Sequence, residues 1–146
     1  MPVRRMDHVT IVAADLDAMV AFFVDLGLEV VQERTAIDDE WAARVVGVEG
    51  ARSEIVMVQT PDGHSRLELQ HYVDPPATGG IGHAPSNTLG ITNVAFEVDD
   101  VRGMVDRLAA QGFGLVGHLE NYADVYLLCY VRGPEGIIVM LAERIG

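Results

Sequence analysis

Near the start of the chain, the pattern of hydrophobic and polar positions predicts a strand, then a helix, then a second strand. Residues 8–13 (His-Val-Thr-Ile-Val-Ala) alternate with period two, which predicts a strand. Asp15 follows as a candidate helix N-cap, and Gly27 lies where a left-handed C-cap is expected. Residues 28–32 then return to a strand pattern. The apolar positions between the two caps recur at helical spacing and are Leu16, Met19, Val20 and Phe23.

The same succession returns at an offset of 85 positions, the distance from His8 to Asn93. Residues 92–98 predict the strand, Asp99 and Asp100 the cap, and Gly112 the end of the second helix. No gap is needed, and polarity, cap and glycine stay in register together. An internal repeat of this kind predicts two copies of one strand-helix-strand unit. The second helix carries Val101, Met104, Val105 and Leu108.

Two further strands are expected in each copy, so each copy becomes a βαβββ module. They are predicted at residues 54–59 and 66–71, and again at 125–131 and 137–141. A short helix or lid around Trp41, at residues 39–47, is expected in the first copy only. The predicted fold is α+β, in one domain covering residues 1–146. Its parts are module one at about 1–73, a Pro- and Gly-rich linker at 74–86, and module two at about 87–146.

Composition narrows the classes of partner. The 146 residues are 49% hydrophobic and 22% charged, which is ordinary for a globular domain, and the formal net charge is −12. Such an acidic chain argues against nucleic acid and anionic membrane surfaces as partners. One cysteine, Cys129, excludes an intrachain disulfide, and we expect it to be buried and inert. No signal peptide is recognised at the N-terminus, so a cytoplasmic location is expected.

Strand alternation predicts which side chains share a face. The apolar face of each sheet should pack on its own helix, which leaves a mixed face that carries His8, Glu68, Gln70, Asn93 and Glu97. A dry core would be a poor place for these groups, because an unpaired buried polar group costs about 1–3 kcal/mol. They suit the wall of a ligand cavity. Tyr126, Leu128 and Tyr130 are expected on the same wall.

Several motifs together resemble the vicinal-oxygen-chelate superfamily, which includes glyoxalase I, methylmalonyl-CoA epimerase, extradiol dioxygenases and the bleomycin- and fosfomycin-resistance proteins. The motifs are Asp7-His8-Val9, residues 67–71 (Leu-Glu-Leu-Gln-His), residues 90–96 (Gly-Ile-Thr-Asn-Val-Ala-Phe) and residues 133–141, from Gly-Pro-Glu-Gly onward. The resemblance covers nearly the whole chain. It implies modules that pair around a small-molecule cavity, often across two chains, so a homodimer is expected.

The resemblance also implies metal ligands at four positions, and this chain matches only two. His8 and Glu68 stand where ligands are expected, whereas Asn93 replaces a His and Met140 replaces a Glu. A dication such as Zn, Ni, Co or Fe prefers imidazole and carboxylate donors, so this set would hold it weakly. The His-His-Glu triad of the dioxygenases is absent, which disfavours that reaction. Candidate substitute ligands are His71, Gln70, Glu97, His118 and Glu120.

Three functions remain open. The first is a binding protein with no metal, or one weakly held divalent metal, that grips a small organic molecule. Its ligand-binding residues would be Asn93, Tyr126, Leu128, Tyr130, Met140, Gln70 and Trp41. The second is a metal-dependent lyase or isomerase that uses His8 and Glu68 with a non-standard partner. The third is metal-free catalysis in which His8 and Glu68 pair as a general base, with Glu68 opposite His8. A plain hydrogen-bonded His8–Glu68 pair is the structural alternative.

Overall fold

The structure, a computed structural model, describes residues 2–146. The chain divides into two compact units, one ending at Gly79 and the other covering Gly80–Gly146. Each unit contains one four-stranded mixed sheet. The boundary between the units lies inside the Pro- and Gly-rich segment 74–86. The two tandem βαβββ modules of the predicted α+β fold are thereby confirmed.

The first module has four strands and two helices. The sheet order is β1-β4-β3-β2, with β1 parallel to β4 and the other neighbours antiparallel. The short helix predicted around Trp41 is present as α2, and Gly47 closes it at φ +71°. The elements are β1 (Val9–Val12), α1 (Leu16–Leu26), β2 (Glu29–Ile37), α2 (Glu40–Val46), β3 (Arg52–Gln59) and β4 (Arg66–Asp74).

Helix α1 begins and ends where the sequence predicts. Asp15 accepts a hydrogen bond from the Ala18 amide at 3.0 Å, which satisfies one of the free N–H groups of the first turn. Gly27 adopts φ +113° and its amide bonds back to the carbonyl oxygens of Phe23 and Val24. The helix packs on β3 and β4, and Phe23 is fully buried. The strand residues buried on this side are Val56, Val58, Leu67 and Leu69.

The second module repeats the plan with one helix. Its sheet order is β5-β8-β7-β6, with β5 parallel to β8. Two carboxylates accept the first amides of its helix: Asp100 from Gly103 at 3.0 Å and Glu143 from Val101 at 2.8 Å. The elements are β5 (Val94–Glu97), α3 (Val101–Ala110), β6 (Glu120–Tyr122), β7 (Tyr126–Arg132), a 3-10 turn (Pro134–Gly136) and β8 (Ile138–Arg144).

The strand expected directly after Gly112 is the main departure from the predicted elements. That segment makes one isolated bridge, between Leu115 and Val131, and regular pairing starts only at the three residues of β6. The reason lies in its glycines, since Gly114 and Gly117 flank the bridge and glycine weakens a strand interior. The two modules therefore differ at this edge of the sheet.

The other expectations about burial hold in the second module. Val139 and Leu141 are fully buried on the helix side, as the alternation of β8 predicts. Cys129 is 3% exposed, and its burial raises the pKa of the thiol, which keeps it protonated and unreactive. Throughout residues 2–146, none of the helices has the length and apolar character that a bilayer crossing requires.

Candidate functional site

The mixed face of the first module is built on the parallel pairing of β1 with β4. In this register Val9 lies opposite Leu67 and Thr10 opposite Glu68. The Thr10 hydroxyl donates to Glu68 Oε1 at 3.0 Å. The expectation that Glu68 lies opposite His8 is therefore wrong by two positions. A parallel register depends on tertiary packing, which strand alternation alone does not determine.

His8 has a different partner. Its Nδ1 lies 2.8 Å from Asp7 Oδ2, and the side chain is 33% exposed. The other Asp7 oxygen accepts hydrogen bonds from Arg66 at 2.8 Å and Arg5 at 3.0 Å. The His8 hydrogen bond, followed by the charges of Arg66 and Arg5, lowers the pKa of Asp7. The predicted His8–Glu68 pair is thus replaced by two separate pairs, His8–Asp7 and Thr10–Glu68.

Three further candidates of the first module have other environments. Gln70 is buried, and its amide donates to Ser53 Oγ at 3.0 Å, so the group joins β4 to β3. His71 donates from Nδ1 to the carbonyl oxygen of Ala13 at 3.1 Å, toward the start of α1 rather than the mixed face. Trp41 lies on α2 and is 59% exposed. Gln70 and His71 therefore serve internal hydrogen bonds.

The mixed face of the second module gathers the predicted ligand-binding residues of that module. Asn93 Nδ2 donates to the Tyr130 hydroxyl at 3.0 Å. Tyr130 lies directly opposite Met140 in the antiparallel β7–β8 pair. Tyr126 and Leu128 precede Tyr130 at alternate positions of β7 and are partly exposed, whereas the residues between them are buried. The placement of these five side chains on one face agrees with the alternation; their contact with a ligand stays a prediction.

Equivalent positions of the two modules carry different chemistry. Glu68 and Met140 occupy corresponding places, because each lies one residue after the strand residue paired with Val9 or Val94. Met57 faces Glu68 where Tyr130 faces Met140. The first module therefore presents a carboxylate and an imidazole, and the second a phenol, an amide and a thioether.

The donor set does not fit the four-ligand metal centre that the resemblance implies. Asn93 offers only a neutral carbonyl oxygen, because its Nδ2 donates to Tyr130, and Met140 supplies only a soft thioether. Across residues 2–146, no group of three or more His, Cys, Asp or Glu side chains is arranged to hold a metal ion. Among the candidate substitutes, Glu97, His118 and Glu120 are exposed. Glu120 lies opposite Leu128, on the mixed face.

Three residues of this region were not among the site residues predicted from the sequence: Asp7, Thr10 and Arg66. Thr10 could have been found, because it alternates onto the same face as His8. Asp7 and Arg66 are 59 residues apart, and nothing local indicates that they meet. Their contact follows from the parallel pairing of β1 with β4, which brings the residues just before β1 to the first residue of β4.

The fold and the two mixed faces define the class of protein: a tandem βαβββ protein with divergent walls. The family profile described as Glyoxalase/Bleomycin resistance protein/Dioxygenase superfamily matches residues 5–141. The chain belongs to that superfamily. No curated protein matches it significantly.

Solved structures agree with this assignment. A glyoxalase family protein from Bacillus cereus is 44% identical, with a TM-score of 0.95 over 100% of this chain and 97% of that one. The trypanothione-dependent glyoxalase I of Leishmania major is 19% identical, with a TM-score of 0.66 over 97% of this chain and 87% of that one. A glyoxylase/bleomycin resistance protein/dioxygenase domain from Frankia is 15% identical, with a TM-score of 0.68 over 98% and 93%. The last two establish the fold alone.

Proposed function

We propose that this chain is a small-molecule-binding protein with a degenerate metal site, in which the mixed face of each module offers a binding surface. The observation that carries the proposal is the hydrogen bond from Asn93 to Tyr130 beside Met140. Where the resemblance implies a His, this chain has Asn93, whose amide donates to the Tyr130 hydroxyl. Where the resemblance implies a Glu, it has Met140, which carries a thioether. Both substitutions replace strong metal donors by groups that contact organic ligands well.

The second-module wall is the more apolar of the two proposed binding surfaces. Tyr126, Leu128 and Tyr130 are each partly exposed on β7. Tyrosine combines a large apolar ring with a polar end, which suits a surface that is covered only when a ligand arrives. Met140 adds a flexible side chain that adapts to irregular shapes.

The first-module wall is the more polar of the two proposed binding surfaces. Thr10 and Glu68 form a hydrogen-bonded pair, and Glu68 is only partly buried, so its second oxygen can accept a donor from a ligand. His8 offers a ring nitrogen beyond the one engaged by Asp7. Trp41, on the exposed face of α2, is proposed as a further contact.

A second function, a metal-dependent lyase or isomerase, is favoured by one specific observation. Histidines that bind metal almost always donate their other ring N–H to a carboxylate or carbonyl, and His8 has such a partner in Asp7. In that case His8 and Glu68 would hold a dication together with a third, non-standard donor. The metal would supply Lewis-acid polarisation of a carbonyl.

Metal analysis separates the two functions. The protein is purified without chelators or added metal, and bound Zn, Ni, Co, Fe and Mn are measured per chain by mass spectrometry. If the proposed function is correct, the purified protein should contain well below one bound metal ion per chain. It should also bind added Zn²⁺ only weakly. One tightly bound ion per chain, lost in a His8→Ala variant, would overturn it in favour of the lyase or isomerase.

Ligand binding is tested directly with two probes. Bleomycin represents the ligand class in the family description, and anilinonaphthalene sulfonate represents an amphipathic aromatic anion. Trp41 is the only tryptophan, so its emission reports events near α2. Saturable binding should weaken in Tyr126→Ala and Met140→Ala, while Val24→Ala on the exposed side of α1 serves as the matched control. Equal binding in all three variants would contradict the assignment of the site.

A further inference from the structure

The environment of His8 is asymmetric around its ring. Nδ1 lies 2.8 Å from an Asp7 oxygen, whereas Nε2 has no hydrogen-bond partner within residues 2–146. Asp7 is held in turn from outside its own segment, since Arg66 on β4 donates to its other oxygen at 2.8 Å. Arg5 donates to the same oxygen at 3.0 Å. The carboxylate is therefore fixed between two arginines and the imidazole.

This arrangement has a chemical consequence for the imidazole. An ionised carboxylate only accepts hydrogen bonds, so a neutral His8 must carry its proton on Nδ1 to bond with Asp7. The Nε2 lone pair is then left free. Without such a partner the two tautomers exchange, and the one with the proton on Nε2 predominates in free histidine.

We infer that Asp7 is a positioning residue that holds His8 in the Nδ1–H tautomer, so that Nε2 is the nitrogen presented to a ligand. The inference deepens the proposed function, because it names which atom of the first-module wall is the acceptor. It also names the ligand feature that this atom recognises: an O–H or N–H donor, or a proton released by the bound molecule.

Arg66 helps to hold Asp7 in this position. Its side chain is 32% exposed and contacts Asp7 from two positions before Glu68 on β4. An exposed carboxylate alone would share its hydrogen bonds with water and turn freely. A guanidinium on the neighbouring strand limits that freedom and keeps Oδ2 directed at His8.

The test is the tautomer of His8, read from long-range proton–nitrogen NMR spectra of the ¹⁵N-labelled full chain. Spectra are recorded at about pH 9, where histidine side chains are generally neutral. His71 is an internal standard, because its Nδ1 donates to the carbonyl oxygen of Ala13, which can only accept. His8 should show the same Nδ1–H pattern as His71. A predominantly Nε2–H pattern for His8 in the parent would overturn the inference without any variant.

The variants then assign the effect to the carboxylate. Asp7→Ala should change His8 from predominantly Nδ1–H to predominantly Nε2–H and leave His71 unchanged. Arg66→Gln should move His8 in the same direction by a smaller amount. Asp62→Ala is the matched control: it removes another exposed carboxylate, which accepts from the backbone amide of a different histidine, His64. An unchanged His8 pattern in Asp7→Ala would show that Asp7 serves structure only.

The tautomer result is independent of the proposed function. It needs no ligand and no metal, so a failure to bind either probe leaves it standing. Conversely, free exchange of His8 between its two tautomers would contradict the positioning role of Asp7. The proposed ligand binding through Tyr126 and Met140 would be unaffected by that result. If Asp7→Ala does not fold, the parent spectrum and Arg66→Gln still decide the outcome.

Discussion

Asn93 and Tyr130 are joined by a hydrogen bond of 3.0 Å that passes over an intervening strand. Asn93 immediately precedes β5 and Tyr130 lies on β7, and β8 runs between these two strands in the sheet. Met140 of β8 lies opposite Tyr130. The bond therefore fixes the phenol across the strand that carries the thioether.

The strength of this bond is measurable by a double-mutant cycle. Asn93→Ala and Tyr130→Phe should each lower the free energy of unfolding by about 1 kcal/mol, because each removes one partner of a half-buried hydrogen bond. The double variant should lose less than the sum, with a coupling energy of about 0.5–1.5 kcal/mol. Urea unfolding of the four proteins gives these values. Tyr126→Phe, on the same strand and face, should change stability by less than Tyr130→Phe; additive losses would mean that the bond contributes nothing.

Residues 82–84, which follow the boundary between the units, pack against the turn that contains Gly136. Arg132 donates to the carbonyl oxygens of Gly82, Ala84 and Gly136, at 3.2, 2.7 and 3.0 Å. Gly136 adopts φ +86°, and a Cβ there would collide with the backbone of Gly82. Gly136 is thus required both by its left-handed conformation and by a close approach of two chain segments.

Replacement of this glycine tests both requirements together. Gly136→Ala should lower the free energy of unfolding by roughly 3 kcal/mol, because backbone strain and a backbone collision add. Gly112→Ala is the matched control, since its φ is +90° and its Cβ position is open. The control should lose only about 1 kcal/mol, the cost of the left-handed conformation alone. Equal losses in urea unfolding would mean that the Gly82 segment simply moves away.

How much of this molecule the sequence predicts depends on how local each interaction is. The caps at Asp15, Asp100 and Gly27 are where the pattern places them, because each is decided within one helical turn. Strand existence and the choice of the helix-facing side also follow from the alternation. These features required no knowledge of tertiary structure.

The candidate site was predicted less completely, for a physical reason. His8 lies just before β1, and the partners of His8 and Glu68 depend on the register of a parallel strand pair. A shift of two positions keeps every side chain on its face, so the hydrophobic pattern cannot distinguish the two registers. The result is that Glu68 meets Thr10 and His8 meets Asp7.

Acid sensitivity of the first module should include a contribution from Asp62. Hydrogen bonds from the Thr60 hydroxyl and then the His64 amide lower the pKa of Asp62 below its usual 3.8. A carboxyl whose pKa is depressed in the folded state stabilises it above the unfolded pKa, and this contribution disappears as the pH falls through the folded pKa. The stability difference between the parent and Asp62→Asn should therefore be constant above about pH 5 and shrink below it.

Urea unfolding at a series of pH values checks this sign. Glu49→Gln controls for the loss of one exposed negative charge. A difference that grows toward low pH would show that Asp62 is not stabilised as a carboxylate in the folded chain.

The last prediction concerns the metal donors themselves. If the second module lost metal affinity through Asn93 and Met140, then Asn93→His combined with Met140→Glu should restore it. An imidazole and a carboxylate replace an amide and a thioether, and borderline dications such as Zn²⁺ or Ni²⁺ prefer the former pair. Calorimetric titration should show Zn²⁺ binding at least about tenfold tighter than the parent, or about 1.4 kcal/mol.

One control makes the result specific. Asn93→Gln with Met140→Leu changes the same positions without adding donors and should leave Zn²⁺ affinity at the parent value. A parent that already binds Zn²⁺ as tightly as the restored variant would show that Asn93 and Met140 are not the cause of a weak site, and it would favour the lyase or isomerase over the binding protein.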